Sequence, residues 1–188
     1  TLIGVTKGFT HKEVNIAREL GIKNFGENYA QELLAKEPLI AAESSWHFIG
    51  QLQSNKIRKI SHLVDVWHSV TSLKHAREIH KRNERAQMLL QVSLMGPSNS
   101  KGFEVKELPD IIGKLQDEGI DISGLMTMGV PGDMVATRVV FERLRKLADT
   151  FELSECSMGM SNDFEVALES GSSMIRVGSA IFGNRRAD

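Results

Sequence analysis

The sequence predicts an α/β protein folded as a single (β/α)8 barrel of the TIM type. Short apolar, β-branched runs alternate with helical periodicity along the whole chain, which is the pattern of parallel βα units. The last two of these runs each end in a turn of small residues, where barrels of this class commonly hold a phosphate group. The eight predicted strands cover residues 2–7, 23–29, 46–50, 63–70, 87–94, 122–129, 152–158 and 174–183.

The composition is that of an ordinary globular protein, and it excludes several functional classes. Apolar residues make up 41% and charged residues 25% of the 188 residues, which excludes disorder and predicts one domain over residues 1–188. The 23 basic and 24 acidic residues leave a net charge of −1, so no overall field attracts nucleic acid or an anionic membrane. No apolar run approaches the roughly 20 residues that span a bilayer. The single cysteine, Cys156, favours a protein of the reducing cytoplasm.

The segments between the predicted strands have the periodicity of helices. Thr10 followed by Glu13 is a capping box, which predicts that a helix begins just after the first strand. In two later segments, apolar residues recur on one helical face. These residues are Val105, Leu108, Ile111, Ile112 and Leu115 in the first segment, and Val140, Phe141, Leu144 and Leu147 in the second.

The turns at residues 158–161 and 178–179 follow the seventh and eighth predicted strands. Backbone N–H groups in such turns, beside the N-terminus of a helix, form a cradle for a phosphate dianion. The alternative is that their glycines only permit tight turns. Because Asp163 and Glu165 would repel an anion, we expect these carboxylates to turn away and the phosphate to rest on turn amides and the Ser161 hydroxyl.

Lys7 ends the first predicted strand, and strand alternation places it on the same face as Ile3 and Val5. If that face points into the barrel, Lys7 lies at a desolvated rim, where a neutral amine is a nucleophile toward an aldehyde. The alternative is a solvated lysine at the start of a loop.

Arg176 lies within an apolar strand, where a guanidinium is costly to bury without an acceptor. Alternation places it on the same face as Met174 and Gly178. Two interpretations remain open: a structural salt bridge, to Glu27 or Asp163, and a contact with a bound ligand.

Other chemistries have weak support in the sequence. The six histidines form no metal-binding motif, and His47 and His68 lie on strands, where packed core or rim histidines are expected. There is no nucleophile elbow, P-loop or dinucleotide-binding fingerprint. The basic segment 74–85 lacks interleaved aromatic residues, which favours a solvated outer helix over a nucleic-acid surface.

Several long motifs, in order along nearly the whole chain, resemble those of the pyridoxal-phosphate homeostasis protein family, also called the proline synthase co-transcribed family. The resemblance implies a barrel similar to the N-terminal domain of alanine racemase. The motifs are GVTK (4–7), NFGENYAQE (24–32), WHFIGQLQSNK (46–56), GLMTMG (124–129), SMGMSNDFEVAL (157–168) and MIRVGSAIFG (174–183).

The resemblance also implies a role for individual residues toward pyridoxal 5′-phosphate. By the match of GVTK, Lys7 carries the Schiff base, and by the match of RVGSAIFG, Arg176 approaches the pyridine nitrogen. Asn28, in the match of GENY, belongs to the cofactor pocket. The residues that hold the phosphate are Ser161, Gly178 and Ser179.

The chain departs from the family pattern in two places. Members carry a helix before the first strand, whereas this chain begins in the strand, so we expect a barrel without that helix. The loop at residues 96–103 is also off-pattern, because Lys101 is shifted from the position of the family's Ser-Lys pair.

Two functions from different classes follow from this resemblance. The favoured one is a protein that stores, buffers or delivers pyridoxal phosphate, with apoenzymes that use this cofactor as partners and no catalytic residue of its own. The alternative is an amino-acid racemase, but the only tyrosine is Tyr29, and we expect no second domain to supply a base. A third interpretation, a phosphosugar enzyme without pyridoxal phosphate, needs a carboxylate or histidine pair at the rim, for which only Glu27 and His47 are loose candidates.

Overall fold

The computed structural model of this chain describes residues 1–40, 44–95 and 102–183. The strands are β1 (Leu2–Val5), β2 (Asn24–Glu27), β3 (Ser45–Phe48), β4 (Val66–Val70), β5 (Gln87–Ser93), β6 (Phe103–Glu104), β7 (Gly124–Met126), β8 (Glu155–Ser157) and β9 (Ile175–Val177). The α-helices are α1 (His11–Glu19), α2 (Ala30–Lys36), α3 (Ser54–Ile60), α4 (Leu73–His80), α5 (Leu108–Asp117), α6 (Met134–Thr150), α7 (Phe164–Glu169) and α8 (Ser179–Phe182).

Eight of these strands form a parallel barrel, which confirms the predicted fold class. Their order around the sheet is β8-β7-β5-β4-β3-β2-β1-β9. A parallel bridge between Ser157 and Met174, with a bond of 3.1 Å from Met158 N to Met174 O, joins β8 to the start of β9. The barrel therefore closes at the two strands whose ends carry the predicted phosphate cradle.

The last predicted strand differs from the structure. The strand predicted over 174–183 ends at Val177, and the chain turns at Gly178 into the short helix α8. Phe182 then packs on Phe9, with ring centroids 5.1 Å apart, so apolar residues that suggested a longer strand serve helix packing. Helix α7 begins at Phe164. The two-residue strand β6, which pairs only with β5, is too short to show periodicity.

Strand alternation divides the apolar residues between two cores. The inner faces of the barrel strands supply a small cluster of Ile3, Val66, Leu89, Met126 and Met174. The outer faces pack against the helices in a larger core. Burial of apolar surface in both cores contributes roughly 25 cal/mol per Å² to stability.

Helix α1 starts as predicted. The Thr10 side chain accepts a hydrogen bond from Lys12 N at 3.3 Å, and Thr10 N donates to Glu13 Oε2 at 2.9 Å. This capping box begins the helix after a connection of five residues from β1 and leaves Lys7 in the connecting turn. In the described part of the chain, none of the helices combines the length and apolar character required to cross a membrane.

Candidate functional site

A cavity of about 710 Å³ lies at the carboxyl ends of the barrel strands. It opens where TIM-type barrels place their sites. All six residues predicted to contact the cofactor line this cavity: Lys7, Asn28, Ser161, Arg176, Gly178 and Ser179. The fold therefore brings into one cavity residues that are up to 172 positions apart in the chain.

Lys7 lies just after β1 and lines the cavity together with Val5, as alternation predicted. Ile3, two residues further back on the same face, is fully buried inside the barrel. The backbone around Lys7 forms a turn, closed by a bond of 3.0 Å from Phe9 N to Thr6 O. Gly8 has a φ of 76°, a conformation that glycine adopts without steric cost. This turn places the half-buried lysine at the rim of an apolar interior.

The two turns predicted to hold a phosphate contact each other through Ser161. Its Oγ accepts hydrogen bonds from Gly178 N at 3.1 Å and from Ala180 N at 3.5 Å. These amides belong to the first turn of α8, whose partial positive charge favours an anion. A hydroxyl and helix-terminal amides thus converge on one end of the cavity.

Gly159 fits the alternative interpretation, in which glycine serves the turn itself. It has a φ of 98°, and a Cβ at this position would lie 2.6 Å from the Cβ of Ala167. Gly178 differs, because its φ is −113° and a Cβ would meet Val5 at an ordinary 3.5 Å. Gly178 instead contributes its backbone N–H group, which donates a hydrogen bond to Ser161 Oγ.

The expectation that both nearby carboxylates turn away from the site is wrong for Asp163. Glu165 is exposed, but Asp163 is buried in the cavity wall. One of its oxygens accepts a hydrogen bond from Met160 N at 2.5 Å. Its other oxygen lies so close to Gly129 that a Cβ added to this glycine would be only 2.5 Å away. Asp163 thus caps the turn that carries Ser161. Helix periodicity in the sequence does not indicate this hydrogen bond.

Arg176 is 5% exposed and points across the barrel interior. Its guanidinium donates to Ser157 Oγ at 2.5 Å and to the carbonyl oxygen of Thr127 at 3.1 Å. Burial lowers the pKa of Arg176 to about 10, although the charge of Asp163 acts to raise that pKa. The side chain therefore remains a cation at neutral pH. Within the described ranges it forms no salt bridge, neither to Glu27 nor to Asp163.

A buried chain of polar groups extends from Arg176 through the barrel. Ser157 Oγ lies 2.7 Å from His68 Nδ1, and His68 Nε2 lies 2.9 Å from His47 Nδ1. His47 Nε2 then lies 3.2 Å from Asn24 Oδ1. Burial lowers the pKa of His47 to about 4 and that of His68 well below its usual value, so both rings are neutral at pH 7. The prediction that these histidines are packed is confirmed, but the chain that they form was not anticipated.

Glu27 and His47 do not form the pair that a phosphosugar enzyme would require. His47 bonds within the barrel, whereas Glu27 is buried on the other face of its strand and bonds to Lys36 at 2.8 Å and to Thr6 Oγ1 at 2.9 Å. The two side chains therefore cannot act together on one substrate.

Asn28 tests whether the cavity fits the cofactor that the resemblance implies. Its Oδ1 is buried in the cavity wall and has no hydrogen-bond partner among the described residues. A buried acceptor without a partner costs about 1–3 kcal/mol, so a donor on a bound molecule would relieve this cost. Together with the amine, the guanidinium and the anion cradle, Asn28 makes the cavity fit pyridoxal phosphate. Lys101 and the rest of residues 96–101, in the off-pattern loop, lie outside the described residues.

A parallel barrel with a lysine after the first strand and small-residue turns after the last two places this chain in the class of alanine racemase N-terminal domains. Residues 1–186 match the model of that family, alanine racemase, N-terminal domain. Within this class, the chain belongs to the pyridoxal phosphate homeostasis protein family. It is 34% identical to the member from Aquifex aeolicus over 98% of this chain and 87% of that protein. It is 37% identical to the member from Synechocystis over 98% and 91%.

Solved structures agree with this assignment. PipY of Synechococcus elongatus, in a structure with PLP bound, matches with a TM-score of 0.90 and 31% identity over 97% of this chain and 92% of that chain. Alanine racemase from Corynebacterium glutamicum matches with a TM-score of 0.76 over 100% of this chain and 56% of that chain. At 17% identity, this second likeness supports the fold alone.

Proposed function

We propose that this chain binds pyridoxal 5′-phosphate through Lys7 and stores, buffers or delivers it without turning over a substrate. The observation that carries the proposal is the convergence of Lys7, Arg176, Asn28 and the Ser161 cradle on one cavity. Each of these groups matches a different part of the cofactor. The binding of PLP by the 31% identical PipY supports the same assignment.

Lys7 supplies the amine that would hold the cofactor. When bound, the cofactor contributes an aldehyde that reacts with an amine, and a neutral lysine at an apolar rim is suited to that reaction. Lys7 is half-buried and lines the cavity, which supports its assignment as that amine.

The anion cradle, formed by Ser161 and the amides of Gly178 and Ala180, would orient the cofactor through its phosphate. The Gly178 and Ala180 amides, which donate to Ser161 Oγ in this structure, and the Ser161 hydroxyl are the donors that would turn to a bound phosphate. Ser179, exposed at the first position of α8, adds a hydroxyl to the same cavity wall. Phosphate binding at this end leaves the aldehyde end of the cofactor for Lys7.

Arg176 argues against catalysis. Because its cation is held by Ser157 and Thr127, it would keep a neighbouring ring nitrogen unprotonated and so weaken the ring as an electron sink. Racemisation also needs a base on each face of the substrate. Tyr29 is 55% exposed and does not line the cavity, so it does not supply the second base.

We further propose that the protein acts in the cytoplasm and that its recipients are apoenzymes that require pyridoxal phosphate. The buried Cys156 thiol, whose pKa is raised by burial to about 11, is suited to a reducing compartment.

Reduction with borohydride tests the proposal directly. After incubation with pyridoxal phosphate and borohydride, mass spectrometry of peptides is expected to locate the cofactor on Lys7. The variant Lys7→Ala is expected to lose both this adduct and the visible absorption band of the bound cofactor. Lys114→Ala, which alters an exposed lysine on α5, is the control and keeps both signals. An undiminished band in Lys7→Ala contradicts the proposed function.

A further inference from the structure

Lys36 is buried behind the strand end that carries Lys7. It is 6% exposed, and its ammonium group donates to Glu27 Oε2 at 2.8 Å, to Glu32 Oε2 at 2.6 Å and to the carbonyl oxygen of Thr6 at 2.7 Å. A buried ammonium is costly unless acceptors surround it, and here three acceptors match its three N–H groups. We call Lys36, Glu27 and Glu32 the Lys36 cluster.

The Lys36 cluster binds the backbone on both sides of Lys7. On the N-terminal side, Lys36 binds the carbonyl of Thr6, while the Thr6 hydroxyl donates to Glu27 Oε2 at 2.9 Å. On the C-terminal side, Gly8 N donates to Glu32 Oε2 at 2.9 Å. The two residues that flank Lys7 are therefore fixed by charged partners, which form stronger hydrogen bonds than neutral ones.

The same cluster also fixes Asn28. The second oxygen of Glu27 accepts hydrogen bonds from Asn28 N at 2.8 Å and from Tyr29 N at 3.3 Å. Glu27 therefore connects the end of β2, with Asn28, to the end of β1, with Lys7. Both connected residues line the cavity, whereas Glu27 and Lys36 lie on the outer side of the barrel wall.

We propose that the Lys36 cluster positions Lys7 and Asn28 for the cofactor, an inference that rests on the proposed function. Its members contact the backbone of the site and not the cavity, so they are positioning residues. Stability alone is a weak reason to bury these charges, because apolar residues of similar volume commonly stabilise a core as well or better. Their placement on both sides of Lys7 instead matches the accuracy that a reaction between two bound groups requires.

The experiment compares Glu32→Ala with Glu32→Gln, which keeps an oxygen that can accept from Gly8 N. The control is Glu118→Ala. Glu118 forms an ion pair of 2.6 Å with Arg77, as Glu32 does with Lys36, and the two glutamate side chains are similarly exposed, at 37% and 32%. Two quantities are measured: amide hydrogen exchange of residues 6–9 in the cofactor-free protein, and the rate at which borohydride traps pyridoxal phosphate on Lys7. Circular dichroism checks the fold of each variant.

In Glu32→Ala, we expect faster exchange at Gly8 and trapping slowed by about 10- to 100-fold, the effect of a displacement near 1 Å between reacting groups. Glu32→Gln is expected to recover most of the rate, and Glu118→Ala to match the wild type. The double variant Glu27→Gln/Lys36→Met removes both buried charges and leaves Glu32, whose side chain is 32% exposed, as the remaining charge of the cluster; it is also expected to trap slowly.

Wild-type trapping rates in the folded Glu32→Ala and double variants would overturn the positioning role, even if both unfold at lower temperature. A wild-type protein that traps no cofactor on Lys7 would instead overturn the proposed function, and this inference with it. The two failures are thus distinguishable, because the first appears only in the variants.

Discussion

The guanidinium of Arg176 donates a hydrogen bond of 2.5 Å to Ser157 Oγ, between two strands on either side of the barrel closure. Because a guanidinium can only donate, the serine oxygen accepts and its own proton is left for His68 Nδ1, 2.7 Å away. The cation in the cavity wall is therefore oriented by a neutral, buried hydrogen-bonded chain and not by a carboxylate. Asp163, in the same cavity wall, favours the charged form of Arg176 without forming a salt bridge with it.

Removal of the Ser157 hydroxyl tests the importance of this chain. Ser157→Ala leaves donors of Arg176 and an acceptor of His68 unsatisfied in a buried site, so we expect unfolding free energy to fall by about 1–3 kcal/mol. Urea denaturation measures the change. Ser154→Ala, whose exposed hydroxyl makes only a weak contact of 3.5 Å, is the control and should have little effect. Equal stability of the two variants would show that Ser157 does not hold Arg176.

The phosphate should dominate cofactor affinity, because amides and a hydroxyl converge on it. We expect pyridoxal to bind much more weakly than pyridoxal phosphate in a fluorescence titration. Ser161→Ala should weaken binding of the phosphorylated form by about tenfold, the loss of one hydrogen bond to a charged group, without changing the affinity for pyridoxal. Equal affinities of the two compounds for the wild type would mean that the cradle does not bind phosphate.

Gly159 and Gly113 provide a matched pair of substitutions. Gly159→Ala adds a Cβ at a φ of 98° and within 2.6 Å of Ala167, so a loss of about 2 kcal/mol or more is expected. Gly113→Ala adds a Cβ with no atom within 4 Å inside helix α5, where alanine stabilises by about 0.5–1 kcal/mol. Thermal denaturation should therefore shift in opposite directions. A shift in the same direction would contradict the assigned backbone conformations.

Stability should fall in acid because of His47. Its pKa is lowered by burial to about 4, whereas the unfolded chain has a value near 6.5, so the unfolded state binds more protons between these limits. Stability is therefore expected to decrease as the pH falls from about 6.5 to about 4, with a contribution of about 3 kcal/mol from this residue.

The corresponding measurement is the unfolding free energy as a function of pH. His47→Gln should reduce the slope in this range, whereas His62→Gln, which alters an exposed histidine, should not. Identical slopes for all three proteins would show that His47 is not buried in its neutral form.

The loaded protein should be a poor catalyst. Incubation with L-alanine in deuterated water is expected to give almost no exchange at Cα, because Arg176 disfavours a protonated ring nitrogen and the cavity lacks a tyrosine base. Nuclear magnetic resonance follows the exchange. Turnover in the usual enzyme range of roughly 1 to 1,000 per second would favour the racemase.

Local sequence patterns were sufficient for much of the fold. The positions of the barrel strands follow from apolar periodicity and flanking small residues, and the start of α1 follows from Thr10 and Glu13. Prediction was less accurate where the chain passes from a strand to a short helix within a few residues. The α8 helix was read as a strand because Ile181 and Phe182 are apolar, and only their packing against Phe9 and neighbouring elements distinguishes the two conformations.

The sequence by itself determined the barrel and, through strand alternation and the family motifs, six of the residues that line its cavity. Only the tertiary structure decided their hydrogen-bond partners. Arg176 bonds to Ser157, 19 positions away in the chain, and Ser157 bonds to His68, 89 positions away. The same holds for Lys36, which reaches Thr6 across 30 positions. The physical reason is that alternation specifies the face of a strand on which a side chain lies, whereas barrel closure and helix packing determine which buried polar groups meet and satisfy one another.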